Sequence, residues 1–330
     1  KQYPKSYKII QNGICLSSRW QPIESVGLYV PGGKASYPSS LIMNIIPAKI
    51  AGVKRIVVTT PSQKGEFNPY ILAILKLFKI KEVYQIGGAQ AIAALAFGTK
   101  TIKPVNKIFG PGNAYVASAK KQVFGNVGID LIAGPSEVVV VADKKNNPKW
   151  IASDLIAQSE HDELAQSILI TDDKKFALDV KKEIYKLIKN LSTYRILKKS
   201  IKNNGRIIVV KSMNKVERLI NEIAPEHLHL QTTHNKLIYK KIKNAGAVFM
   251  GKYSTESLGD YIVGTNHILP TNKTSKFASG LNVLDFMKFN SCIDINHKGF
   301  KNLAKKTKKM AEVEGLDGHK LSIQIREDKV

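Results

Sequence analysis

The stretch RIVVTTPSQKGEFNPYILAILKLFKIKEVYQIGGAQAIAALAFG, residues 55–98, decides the fold. RIVVTTP (55–61) is a short apolar run rich in β-branched residues and reads as a buried strand. NPYILAILKLF (68–78) spaces its apolar residues as a helix does, with Pro69 at its start, where a missing N–H is no loss. EVYQIGG (82–88) is again a strand and stops on two glycines. AQAIAALAFG (89–98) is a helix of small residues closed by Gly98. Strand, helix, strand and helix in succession predict a parallel sheet with helices on both faces.

The same rhythm extends in both directions. Upstream, VGLYV (26–30) is a strand broken by Pro31-Gly32-Gly33, and SSLIMNIIPAKIAGV (39–53) is a helix capped by Ser39 or Ser40 and closed by Gly52. Downstream, KIFG (107–110) and a helix after Asn113 continue it. A second alternation begins at VVVVAD (138–143), with a helix over 148–167, a strand at SILITDD (167–173) and a helix over 174–190. RIIVV (206–210) follows as a strand, then a helix over 212–223 and strands at HLHLQT (227–232) and AGAVFMG (245–251). After Phe286 the pattern changes to a helix over 300–313 and a last strand, LSIQIR (321–326). The expectation is an α/β protein of two doubly wound domains with a short C-terminal helix/strand arm.

The chain has 330 residues, 43% hydrophobic, enough to bury a sizeable core. No run approaches the roughly 18–20 apolar residues of a membrane span. Residues 1–12 (KQYPKSYKIIQN) are polar and basic, unlike a secretory signal, and the first residue is Lys, which fits a fragment or processed product. The only cysteines, Cys15 and Cys292, have no partners at metal-binding spacing, which fits a reducing cytoplasm. The net charge of +25 raises nucleic acid as a partner. The lysines, however, are scattered over the whole length, and no nucleic-acid-binding motif accompanies them. No nucleic acid and no membrane are expected as partners.

Chemistry concentrates in a few places. In SDLIAQSEHDELAQ (153–166), at about 100° per residue, Gln158 falls beside Ile151, Leu155 and Ala165. His161 lies about 60° further round, so the two side chains can converge. Alone, such a pair is ordinarily hydrogen-bonded core. Glu226-His227, just after Pro225, places two acid/base groups on a stiffened segment. Gly259-Asp260 and Gly264-Thr265-Asn266-His267 bring an oxygen ligand and an imidazole close to flexible backbone. EGLDGH (314–319) and AGPSE (133–137) are further candidates, whereas His229, His234 and His297 read as structural. Neither a G-x-G-x-x-G fingerprint nor a Walker A loop occurs.

Taken in order, GLYVPGG (27–33), QIGGAQAIAALAFGT (85–99), IFGPGNAYV (108–116), AGPSEVVVVAD (133–143), DLIAQSEHDELAQ (154–166), APEHLHLQ (224–231), GDYIVGTNHILPT (259–271), SGLNVLDFMK (279–288) and EGLDGHKLSIQIR (314–326) resemble the histidinol dehydrogenase family. The resemblance runs from about Trp20 to the end. It implies oxidation of L-histidinol through L-histidinal to L-histidine with two NAD+ and one water. It also implies one Zn2+ per subunit, held by Gln158, His161, Asp260 and His319. By position it makes Glu226 and His227 the catalytic pair, sets Ser136, His267 and Glu314 against substrate, and sets Tyr29, Gln90 and Asn113 near NAD.

The fold it implies is two Rossmann-like domains, 26–135 on the NAD side and 136–285 with the metal and substrate site. Residues 1–25 would be a remnant of a longer, mostly helical N-terminal region, and 286–330 an arm exchanged between the subunits of a cytoplasmic homodimer. Other readings stay open on the residues alone. A zinc-dependent hydrolase could use Glu226 as base and His227 as electrophile, and an N-terminally truncated homologue could lack activity.

Overall fold

The computed structural model describes residues 3–32, 37–62 and 66–327. Of the Pro31-Gly32-Gly33 turn, Gly33 lies outside the described residues. The chain opens with an antiparallel pair, β1 (Tyr7–Gln11) and β2 (Ile14–Pro22). Then come β3 (Ser25–Tyr29), α1 (Pro38–Ala51), β4 (Arg55–Thr59), α2 (Pro69–Leu77), β5 (Glu82–Tyr84), α3 (Gly88–Phe97), β6 (Lys107–Phe109), α4 (Ala114–Val123) and β7 (Gly128–Ile129). These strands form a parallel sheet in the order β5-β4-β3-β6-β7.

A second unit repeats the plan. It contains β8 (Glu137–Ala142), α5 (Pro148–Ser159), β9 (Gln166–Thr171), α6 (Lys174–Leu187), α7 (Tyr194–Asn204), β10 (Arg206–Val209), α8 (Val216–Ile223), β11 (His227–Gln231), α9 (Asn235–Tyr239) and β12 (Ala247–Met250). Its sheet is parallel too, in the order β10-β9-β8-β11-β12. Each sheet therefore grows outward from its first strand in one direction, then reverses and grows in the other.

Side-chain alternation explains the layers. Along β3 and β4, Val26, Leu28 and Val58 pack against Leu41 and Ile45 of α1 and Ile71 and Leu75 of α2. Val57 and, on β6, Ile108 face the other way, onto Ile92 and Leu95 of α3 and Val116 of α4. In the second sheet Val138 and Val140 meet α5 and α6, and Val139 and Val141 meet α8 and α9. A strand buried on both faces must read as a continuous apolar run, which is why VVVVA does. Each of these side chains contributes roughly 1.5–3 kcal/mol by leaving water.

Local signals set several helix ends. Asn68 caps α2 by accepting from Tyr70 and Ile71, Asn113 caps α4 by accepting from Tyr115 and Val116, and Gly52 ends α1 in the left-handed conformation. The expected Ser39 or Ser40 cap of α1 is not observed. The helix begins at Pro38 with no side-chain cap, and the Ser40 hydroxyl is turned to His267 instead. α5 also stops earlier than expected, at Ser159. Asp162 accepts from the backbone N–H of Leu164, and this local bond draws the chain off the helical path.

The C-terminal arm departs most from expectation. After α10 (Glu256–Tyr261) comes β13 (Met287–Ile295), which pairs antiparallel with β2 along its whole length, Met287 opposite Pro22 and Ile295 opposite Ile14. α11 (His297–Val313) follows, and then α12 (Asp317–Glu327), a helix where LSIQIR was expected to be a strand. Leu321 and Ile325 are four apart, so they share a helical face as readily as a strand face. Asp317 in the first turn and Arg326 in the last suit the helix dipole. Ion pairs from Lys308 to Glu327 and from Lys320 to Glu312 tie α12 to α11. Among the described residues no helix is long and apolar enough to cross a membrane.

Candidate active site

Tyr29 ends β3, Gln90 follows β5 in the first turn of α3, and Asn113 follows β6. All three lie at the carboxyl edge of the first sheet, where the strand order reverses and open parallel sheets bind ligands. The Tyr29 hydroxyl accepts from the N–H of Gly88 at 3.2 Å and so fixes the start of α3. Gly110 is held close against β3: it adopts φ +110, and a Cβ there would sit 2.0 Å from the Tyr29 carbonyl oxygen. Beneath this turn lies a buried ion pair. Lys120 bonds Asp130 and donates to the Gly110 carbonyl at 3.1 Å, and Asp130 accepts from the Gly110 N–H at 2.7 Å. A cleft of about 200 Å³ opens at the ends of β3 and β4, between Pro31, Thr60 and Phe67.

The second cluster lies at the amino edge of the other sheet. Glu137 opens β8 and His227 opens β11. Along β11, Leu228 and Leu230 point into the apolar layer, so His227, His229 and Gln231 share the opposite face. α5 meets that polar face. Its buried Asp154 accepts from Gln231 at 2.5 Å and lies 3.6 Å from His229, and Gln158 is one helical turn further on. The two edges adjoin. Ser40 of α1 lies 3.2 Å from His267, and Asn266 donates to the Met43 carbonyl at 2.8 Å.

Three metal-ligating groups converge here, among the described residues: His161, Glu256 and Asp260, whose ligand atoms lie within 4.8 Å of one another. Glu256 and Asp260 come from one turn of α10. Gln158, 1% exposed, lies against Glu256 of this group. Assigned from its neighbours, its amide presents nitrogen to both oxygens of Glu256, 2.8 Å from Oε2, and oxygen to the Glu137 N–H at 3.2 Å. His267 holds its Nδ1 2.9 Å from the Asp260 carbonyl.

Glu226 and His227 are almost wholly buried beside this point, with 3.7 Å between Glu226 Oε2 and His227 Nδ1. Glu226 accepts from the Glu137 N–H at 2.9 Å. His227 Nδ1 lies 3.3 Å from the Glu137 carbonyl and can only donate to it, which leaves Nε2 as a lone pair. That Nε2 is buried with no hydrogen-bond partner and lies 3.9 Å from Asp260 Oδ1.

The electrostatics follow from burial. Desolvation, with Glu137 and Asp260 adding, holds the Glu226 carboxyl well above its ordinary range. Desolvation with Asp260, Glu226 and Asp154 does the same to Glu256, and Asp260 is raised mainly by burial. His227 is pushed down to about 3, by burial first and then by His229. Carboxylates crowd around one point, and no described Lys or Arg pairs with Glu226, Glu256 or Asp260. Crowded carboxylates beside an imidazole, with no cationic side chain among them, call for a metal ion at the His161, Glu256 and Asp260 group. Oxygen and imidazole donors of this kind suit zinc.

Of the expected site residues, Gln158, His161, Asp260, Glu226, His227 and His267 come together. Ser136 precedes Glu137 at the same edge, and its carbonyl accepts from Gln166. Glu314 caps α11 and His319 is exposed on α12; neither belongs to the metal-ligating group. Sequence reasoning missed Glu256, Asp154 and Ser40, and reached Glu137 only as the last residue of AGPSE. Two of these carried a signal, since Glu256 stands four residues before Asp260 and Asp154 four before Gln158, helical spacing in both cases.

The model of the family described as "Histidinol dehydrogenase" matches residues 1–327. The chain is 50% identical over 329 residues to the histidinol dehydrogenase of Gluconobacter oxydans, covering 99% of this chain and 76% of that protein. It is 52% identical over 316 residues to that of Rhizobium meliloti, covering 96% and 73%. The crystal structure of histidinol dehydrogenase from Elizabethkingia anophelis superposes with a TM-score of 0.94 at 39% identity, over 99% of this chain and 76% of that one.

Proposed function

The chain belongs to the histidinol dehydrogenase family, NAD-dependent oxidoreductases of histidine biosynthesis, and from that premise we propose that it oxidises L-histidinol through L-histidinal to L-histidine. Two NAD+ are reduced and one water is consumed. The observation that carries this reading is the buried, unpartnered His227 Nε2, facing Asp260 beside the carboxyl of Glu226.

Gln158, His161 and Asp260 would hold one Zn2+, completed by the partner's His319. Zinc held there would supply a Lewis acid to hold the substrate by its nitrogen ligands, and NAD+ would supply the hydride acceptor. Everything else falls to the chain's own groups. His227, neutral at pH 7, takes the alcohol proton on Nε2, with its Nδ1–H anchored on the Glu137 carbonyl. Glu226, its carboxyl held above the ordinary range by burial and so a stronger base than a free carboxylate, takes the proton of the water that attacks the aldehyde. Ser136 and His267 flank the substrate, and the partner's Glu314 closes it in. Tyr29, Gln90 and Asn113 line the Rossmann-like carboxyl edge on which NAD lies. α12 buries none of its residues within its own chain and leaves Leu321 and Ile325 exposed, which fits an arm that packs on a second copy.

The test is NADH formation by zinc-loaded protein given L-histidinol, with two NADH expected per histidinol consumed. Glu226→Gln should keep its zinc and stall after the first oxidation. An intact, zinc-loaded protein that forms no NADH would end the proposal.

A further inference from the structure

His161 is the exposed member of the metal-ligating group, and no hydrogen bond from a described residue reaches its ring. A ligating histidine is ordinarily held by a partner on its second ring nitrogen. Here the backbone alone aims the imidazole. That backbone is the turn 160–165, between the end of α5 at Ser159 and the start of β9 at Gln166.

The turn is anchored from α7 and the residue before it. Ser200, fully buried, donates its hydroxyl to the Ala165 carbonyl at 2.9 Å. Asn204, one helical turn further on, donates its amide to the Glu163 carbonyl at 3.1 Å. Thr193 and Lys199 reach the carboxylates of Glu160 and Glu163, each at 3.0 Å. These last two contacts are exposed, join side chain to side chain, and contribute little. The first two fix main-chain atoms, and the main chain is what directs His161.

We propose that Ser200 and Asn204 are positioning residues of the metal site: by gripping two carbonyls of the turn, they hold His161 against Glu256 and Asp260. This rests on the zinc reading of the same site. Polar groups that orient metal ligands typically carry a 10–100-fold share of metal affinity.

The test is zinc affinity of the full chain, measured by competition with a chromophoric chelator. Ser200→Ala combined with Asn204→Ala should bind zinc at least tenfold more weakly than wild type. Asn204→Ala alone, at the end of α7, should bind about threefold more weakly, and it carries the test if the double variant does not fold. Ile92→Val, in the layer of the other sheet, lowers stability without touching the turn and should leave zinc affinity unchanged. In metal-free protein, amide hydrogen exchange over 160–165 should quicken at least tenfold in the double variant and stay at the wild-type rate over α10. Zinc affinity within twofold of wild type in the double variant would overturn the proposal. An equal loss in Ile92→Val would do so too, by showing general destabilisation, as would unchanged exchange over 160–165. Wild-type protein that binds no zinc would instead overturn the metal reading itself, and with it this inference.

Discussion

Replacing Lys120 with Met removes one half of the buried ion pair under the Gly110–Asn113 turn. Both side chains are 2% exposed. Asp130 would keep the Gly110 N–H at 2.7 Å but lose the ammonium. At about 3 Å and an effective dielectric of about 20, the attraction between the charges is on the order of 5 kcal/mol. Removing one partner of such a pair typically costs about 3–5 kcal/mol, since the remaining charge stays buried. Removing both charges is less damaging. Lys120→Met with Asp130→Leu should cost roughly 1–3 kcal/mol, the price of leaving the Gly110 N–H and carbonyl without partners.

The double-mutant cycle should therefore show a coupling of about 2 kcal/mol or more, read from urea unfolding followed by circular dichroism. A kinetic signature accompanies it. Both variants free the turn that carries Asn113, so KM for NAD should rise severalfold with kcat nearly unchanged. A single substitution costing under about 1 kcal/mol, or costs that simply add, would refute the argument. So would an unmoved KM, which would show that the pair supports the fold and not the turn.

Gly110→Ala combines a positive φ with a collision against backbone and should cost several kcal/mol, whereas Gly52→Ala, at φ +87 with Pro22 3.9 Å from the new Cβ, should cost about 1 kcal/mol; thermal melting compares them. Ser40→Ala removes the hydroxyl 3.2 Å from His267 and should raise KM for histidinol about fivefold with kcat held, by steady-state kinetics. The folded His227 has its pKa lowered to about 3 from 6.5, so between those values the unfolded chain binds a proton that the folded chain does not. That histidine's contribution to stability is present above pH 6.5 and is lost as pH falls toward 3, by at most about 1.4 kcal/mol per pH unit. His227→Asn should therefore lose less stability than wild type on acidification over that window, measured by urea unfolding at fixed zinc-free conditions; parallel curves would contradict the assigned burial.

How much was legible follows the physics of each element. β4 and β8 announced themselves because a strand covered on both faces has no polar positions to confuse the pattern. β13 did not: all of its residues but Met287 are exposed, so MKFNSCIDI shows no alternation, and only the ladder with β2 defines it. α12 misled because Leu321, Ile323 and Ile325 satisfy a two-residue period as well as a helical one, and only contacts with α11 settle the choice. At the site, Gln158 and His161 were read on one helix, although α5 ends before His161. They converge anyway because a turn brings the imidazole back. Glu256 could have been found from its spacing to Asp260, whereas Ser40 could not, since its contact with His267 exists only once the two sheets meet.

β2 and β13 come from opposite ends of the sequence, yet they are joined rung by rung, and nearly everything between them is enclosed as a loop. During synthesis that clasp has to wait until everything from β3 to β13 has been made. Until then one edge of β2 is bare and able to pair with a strand of another chain. A nascent molecule therefore passes through a sticky stage that its finished form conceals, and slowing translation just ahead of β13 should raise its dependence on chaperones.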